Sequence, residues 1–148
     1  DGVWFQSGKQ AEGLDAAMFH DARAWERYTA IEARRIKQFL RLSEHPGLEG
    51  LEKALALRFY GRLNQDDCAY VDGKLIYTMQ KCRVQTARER KGVPFHPCKR
   101  VGVVEYEGFA RAIDSRIACE CLSCYPEVTD TSCACKWAFS LKDDAQRV

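Results

Sequence analysis

The most reactive side chains of this sequence are its eight cysteines, and they are unevenly placed. None occurs before Cys68, and five fall between Cys119 and Cys135. A disulfide framework in a secreted chain is spread along its length, so this clustering points to a local site or to local packing. The spacing is Cys119-x-Cys121-x-x-Cys124, followed by Cys133-x-Cys135. Three kinds of chemistry fit it. Thiolates bind zinc or iron–sulfur clusters. A thiol of lowered pKa is a nucleophile or redox group. Free cysteine is also a small buried hydrophobe. The pattern is not the paired Cys-x-x-Cys of a zinc ribbon, and no neighbouring residue supplies the electropositive partner that a reactive thiolate needs. Trp137, Phe139 and Leu141 continue the period-two face of Cys133 and Cys135, which favours packing. All three readings stay open.

Other groups add less. His96 lies in Phe95-His96-Pro97-Cys98, two residues from a thiol; it reads as an exposed loop residue before it reads as a ligand or base. His20 and His45 read as surface residues. Asp66-Asp67 and Asp143-Asp144 read as solvated turns, and glycine-rich phosphate loops are absent.

The elements that must position the thiols follow from periodicity. Residues 14–42 read as one long helix, with Met18, Ala22, Trp25, Tyr28, Ile36, Phe39 and Leu40 on a single face and Glu32 its only polar interruption. Acidic residues lie near its start and basic ones near its end, as the helix dipole favours. After a break at residues 43–47, Leu48, Leu51, Leu55, Phe59 and Leu63 describe a second amphipathic helix, expected to pair antiparallel with the first. Residues 69–71 and 75–79 flank Asp72-Gly73, the signature of a tight β-hairpin. Residues 84–91 form a short helix closed by Gly92, and residues 101–114 a third main helix. Residues 116–122 and 133–141 are two final strands. With a turn centred near Glu127, Cys121 faces Cys133 and Cys119 faces Cys135, so that four thiols share one face. The expected fold is α+β: a helical layer, made of the long antiparallel pair and a third helix, on an antiparallel sheet ending in a cysteine-rich hairpin.

The 148 residues suit a single domain spanning 1–148. Lys plus Arg number 23 against 21 Asp plus Glu, a formal net charge of +2. That argues against nucleic acid as a partner, and the basic residues of 83–100 read as a solvated helix face. No apolar run reaches the ~18 residues of a membrane span, so membrane is not an expected partner. The opening residues carry no signal peptide. A reducing, cytoplasmic setting is expected.

The second half resembles an uncharacterised prokaryotic cytosolic protein family with a Cys-rich C-terminal hairpin. The matching text is Cys82-Arg83-Val84-Gln85 with Ala87-Arg88, Pro97-Cys98-Lys99, Val101-Gly102, Glu105-Tyr106, Gly108-Phe109-Ala110-Arg111 and Ile113-Asp114, then Cys121, Cys124 and Cys135 with Trp137 and Phe139. The opening Asp1-Gly2-Val3-Trp4-Phe5-Gln6 resembles an internal segment of such proteins, which implies that the chain is the C-terminal part of a longer one. More distantly, Cys82, Cys98 and Cys135 are similar to positions of the L-2-amino-thiazoline-4-carboxylic acid hydrolase family and of small-ligand domains related to 4-vinyl reductase. The departures are the extra hairpin cysteines and a missing glycine before the last strand. That resemblance implies a helical layer on an antiparallel sheet, a pocket between the layers and a homodimer.

The leading expectation is a cytoplasmic domain that binds a metal or small molecule near Cys82, Cys98, Cys121, Cys124 and Cys135, with zinc or an iron–sulfur cluster as the cofactor. One alternative is a cysteine- or metal-dependent hydrolase of small cyclic C–N or C–S compounds. The other is a structural domain with core cysteines only.

Overall fold

The structure is a computed structural model that describes residues 2–142; Asp143-Asp144 lie outside the described residues. Five helices, α1 (Gly2–Glu12), α2 (Leu14–Phe39), α3 (Gly47–Leu55), α4 (Arg83–Arg90) and α5 (Lys99–Ile113), accompany four strands. These are β1 (Gln65–Val71), β2 (Lys74–Lys81), β3 (Ile117–Cys124) and β4 (Cys135–Leu141). They form one antiparallel sheet in the order β1-β2-β4-β3. The fold is α+β, as expected. Helix α5 packs on the sheet with one side and along α2 with the other, and α1 lies on α2.

Local chemistry explains most boundaries. Asp72 and Gly73 both adopt positive φ, 48° and 75°, the conformation of a two-residue hairpin turn. Gly92 closes α4 with φ 61°. On β2, Leu75, Tyr77 and Met79 alternate into the core and meet Phe139, Trp137 and Cys135 of β4. Helix α1 escaped the sequence reading. Its mixed composition shows no clear stripe, and only Phe5 is buried, in a small second cluster with Ala17, Met18 and Val101.

Two expectations about the helices need correction. The face of α2 that points inward is Ala17, Met18, Asp21, Thr29, Glu32, Ala33 and Ile36; Tyr28 and Phe39 are exposed. The second helix stops at Leu55 instead of continuing through Phe59 and Leu63. The cause is tertiary. Arg58 turns inward and its Nε donates to Glu32 Oε2 at 3.1 Å, while the Phe59 N–H donates to Glu32 Oε1 at 2.9 Å. Satisfying a buried carboxylate outweighs continuing an amphipathic pattern. Phe59 is left 58% exposed. Phe59→Ala is therefore expected to cost less than ~1 kcal/mol in chemical denaturation, as exposed positions do; a loss of ~3 kcal/mol or more, typical of a buried phenylalanine, would contradict the outward placement.

The terminal hairpin also differs. Cys119 pairs with Phe139, Cys121 with Trp137 and Cys124 with Cys135, in place of Cys119 with Cys135 and Cys121 with Cys133. The turn is not tight. Residues 125–134 form a connection organised by its own bonds: the Ser123 hydroxyl accepts from the N–H groups of Thr129 and Asp130, each at 3.1 Å, and Lys136 pairs with Asp130. The Ala134 N–H donates to Met79 O at 2.8 Å, drawing the end of the connection onto β2. A register irregularity between Cys121 and Ser123 absorbs one residue and returns Cys124 to the face of Cys135. Cys133 lies outside the strands, and Cys68 lies inside β1 instead of before the hairpin.

Candidate functional site

Between the helical layer and the sheet is a cavity of about 210 Å³, and β2, β4, α1, α2 and α5 all contribute to its lining. Four of the five thiols singled out from sequence line it: Cys82, Cys98, Cys124 and Cys135. Each arrives on a different segment. Cys82 follows β2 in extended conformation and immediately precedes α4. Cys98 is the residue before α5. Gln85 holds it in place: Nε2 donates to Cys98 Sγ at 3.2 Å and to His96 O at 2.8 Å, while Oε1 accepts the His96 N–H at 2.9 Å. Cys124 ends β3 and Cys135 begins β4, and the two residues are paired across the strands. Cys135 Sγ also accepts from Trp137 Nε1 at 3.3 Å. The fifth thiol, Cys121, does not line the cavity; its residue pairs with Trp137 across the strands. Cys119 is a half-buried member of the sheet core.

Burial governs the protonation of these thiols. It pushes Cys98 up to about 12, with nearby Cys82 and Cys135 adding to the effect. Burial also raises Cys82. The neighbouring Cys124 thiol, and then burial, raise Cys135. These three sulfurs are neutral thiols at physiological pH, chemically soft and close to apolar. All eight cysteines of the chain are free. Among the described residues, no three His, Cys, Asp or Glu side chains are arranged to hold one metal ion.

His96 is not the exposed loop residue expected from its position. It lines the cavity, half-buried, with its ring edge-to-face with Phe5 at 4.8 Å. Burial, helped by Arg88 and Lys9, lowers its pKa from 6.5 to about 4. A group that charges in the unfolded chain before it charges in the folded one makes stability rise with pH between those two values. Folding stability contributed by His96 is therefore present above pH 6.5 and lost as pH falls toward 4. In urea titrations at pH 7.0, 5.5 and 4.5, His96→Gln is expected to lose less stability than the unsubstituted chain over that window; parallel curves would show that the imidazole is solvated.

The polar floor of the cavity was not anticipated. Arg58, only 3% exposed, lines it beside Glu105 and Asp21. Its Nη1 pairs with Glu105 Oε1 at 2.8 Å and its Nε with Glu32 Oε2 at 3.1 Å. The guanidinium also lies 4.6 Å from the Phe109 ring centre and 5.5 Å from that of Tyr106. Burial opposes the charge on Arg58, but Glu105, Tyr106 and Glu32 outweigh it and raise its pKa. Burial raises Glu105, with Arg58 pulling the other way. Burial and the Glu105 charge raise Asp21. Tyr106 stacks on Trp137 at 4.6 Å. Gly102 lets α5 approach that indole, since a Cβ there would come within 2.8 Å of it. The signal for this floor was present in one place: Glu32, the only polar residue on its helical face, required a buried partner.

No helix among the described residues is long and apolar enough to cross a membrane. No curated protein and no solved structure matches the chain. A family profile covers nearly all of it, residues 1–141, and on that match the chain belongs to a family described as "Family of unknown function (DUF6125)".

Proposed function

We propose that this chain is a small-molecule-binding domain whose ligand occupies the cavity between helices and sheet. The observation that carries the reading is the convergence of Cys82, Cys98, Cys124 and Cys135, from separate chain segments, on one mostly apolar cavity of about 210 Å³. Ligand sites are commonly concave and apolar with a few placed polar groups, and Arg58, Glu105 and Asp21 are such groups here. An apolar cavity of roughly 150 Å³ accommodates benzene, so this one suits a single ring with a small substituent. A direct test is protection of the thiols. Saturating toluene is expected to slow methyl methanethiolsulfonate labelling of Cys98 and Cys135 at least fivefold and to leave Cys133 unchanged. Unchanged rates at all three cysteines would sink the reading.

A second reading, zinc or an iron–sulfur cluster on the same thiols, draws on the same convergence, because sulfur ligands suit both. It requires the sulfurs to deprotonate and draw together. Elemental analysis of anaerobically purified protein, with a thiol count, separates the two: stoichiometric metal that falls with Cys124→Ser but not with Cys68→Ser would favour the metal. A cysteine-dependent hydrolase draws less support, because the nucleophile in such chemistry is the thiolate and burial holds Cys98 protonated. A cytoplasmic setting belongs to this proposal and rests on eight free thiols. Rapid alkylation followed by mass spectrometry is expected to find them reduced; native disulfides would refute it.

A further inference from the structure

We propose that a second cavity, lined by Trp25, Tyr28, Tyr60 and Asp21, is a binding site for the methylated ammonium group of a small cation. It holds about 150 Å³, and Ala24 also lines it. The site goes beyond the reading of the larger cavity and does not rest on it. Asp21, Ala24, Trp25 and Tyr28 lie on α2 at steps of three, four and seven residues from Asp21, the spacing that puts side chains on one helical face. Tyr60 opens the short helical turn Tyr60–Arg62 that follows α3, and the bonds of Arg58 and Phe59 to Glu32 hold that turn against α2. The Trp25 ring centre lies 5.3 Å from that of Tyr28, with the planes at 86°, and 5.2 Å from that of Tyr60, with the planes at 56°. Rings at such angles form a corner instead of a flat stack. The electron-rich face of an aromatic ring attracts a cation that comes within about 6 Å of its centre, and clustered rings are a known receptor for quaternary ammonium groups.

The charges also favour a cation. Asp21 is 8% exposed, and none of the ion pairs among the described residues involves it. Arg58 is already shared by Glu32 and Glu105. Burial and the charge of Glu105 both act against the ionised form of Asp21. A cation in the cavity beside it opposes the Glu105 effect through space, without touching the carboxylate. A methylated ammonium suits these walls better than a primary one. The primary group is strongly hydrated and needs hydrogen-bond acceptors, which aromatic rings do not supply. Asp21, Trp25 and Tyr60 line the larger cavity as well. The rest of the ligand therefore has room inward, which suits a free small molecule over the side chain of a protein partner.

The test titrates the unsubstituted protein at pH 7, by calorimetry, with four probes. They are choline, its neutral isostere 3,3-dimethylbutan-1-ol, ethanolamine, and a short peptide carrying trimethyllysine. Choline is expected to bind about tenfold more tightly than the alcohol and than ethanolamine, and at least as tightly as the peptide. The alcohol equal to or tighter than choline would overturn the need for a cation. Ethanolamine equal to or tighter than choline would overturn the preference for methyl groups. A peptide that binds more tightly than choline would overturn the free small molecule as the source of the group. No choline binding at millimolar concentration would overturn the site itself, and would leave the toluene test of the larger cavity standing. Two variants locate the binding. Tyr28→Leu, at a position 39% exposed, is expected to weaken choline at least threefold. Asp21→Asn is expected to weaken choline and to leave the alcohol unchanged. Choline affinity unchanged in both folded variants would put the cation elsewhere and refute the proposal.

Discussion

Arg58→Leu is expected to destabilise the fold by about 3–5 kcal/mol, the range for removing one partner of a buried ion pair. The side chain is 3% exposed and bridges two carboxylates from different helices, Glu32 on α2 and Glu105 on α5. Leucine fills part of the volume but leaves both carboxylates facing each other across an apolar core, beside the ring of Phe109. The remedy for an uncompensated charge is to remove it, so adding Glu32→Gln and Glu105→Gln to Arg58→Leu should recover at least half of the loss. The three substitutions share contacts and will not be additive. Urea denaturation of the three proteins, unsubstituted, single and triple, with the slope checked for constancy, reads the result. A loss below ~1 kcal/mol for Arg58→Leu, the range of surface pairs, would mean that the guanidinium is solvated.

The second large effect is at Asp114, where Asp114→Ala should cost about 3 kcal/mol, the upper range for charge-assisted hydrogen bonds. This residue is 1% exposed at the junction of α5 and β3. Its carboxylate accepts the Gly47 N–H of α3 at 3.0 Å, and Nε and Nη2 of Arg116 at 3.0 and 2.8 Å. It thereby fastens the start of one helix to the end of another. The Arg116 side-chain bonds, with the N–H groups of Arg116 and Gly47, hold its carboxyl well below the usual range against the opposing effect of burial. For a carboxyl of depressed pKa, the stabilisation is fully present above its unfolded value of about 3.9 and is lost as pH falls through the folded one. The difference in stability between the unsubstituted chain and Asp114→Ala should thus be constant from pH 7 to 5 and shrink steadily below about pH 4. A difference that stays constant to pH 2 would show that the carboxylate is not what holds this corner.

How much of this was legible depends on the range of the interaction. The Asp72-Gly73 turn, the Gly92 stop and the alternation of Leu75, Tyr77 and Met79 were readable because each is set by backbone geometry within a few residues. The thiols of Cys82, Cys98, Cys124 and Cys135 were picked out because their elements were right, even though their partners were not. The hairpin register was beyond reach, since it is decided by the Ser123 and Asp130 bonds of residues 125–134 and by the hold of Ala134 on β2. The end of α3 was beyond reach for a similar reason. Leu48 to Leu63 keeps its helical spacing throughout, and only the presence of Glu32 and Glu105, 26 residues before and 47 after Arg58, pulls that arginine inward. His96 likewise looked like a loop residue until Phe5 of α1 covered it. By itself the sequence determined the four strands, the helices with a clear apolar stripe and the single suspect carboxylate, because side-chain periodicity and turn chemistry are local. Tertiary structure alone decided that a cavity exists, that its thiols stay protonated and that an arginine lies at its floor, because burial, and the charge pairing that burial demands, is a property of segments brought together from across the chain.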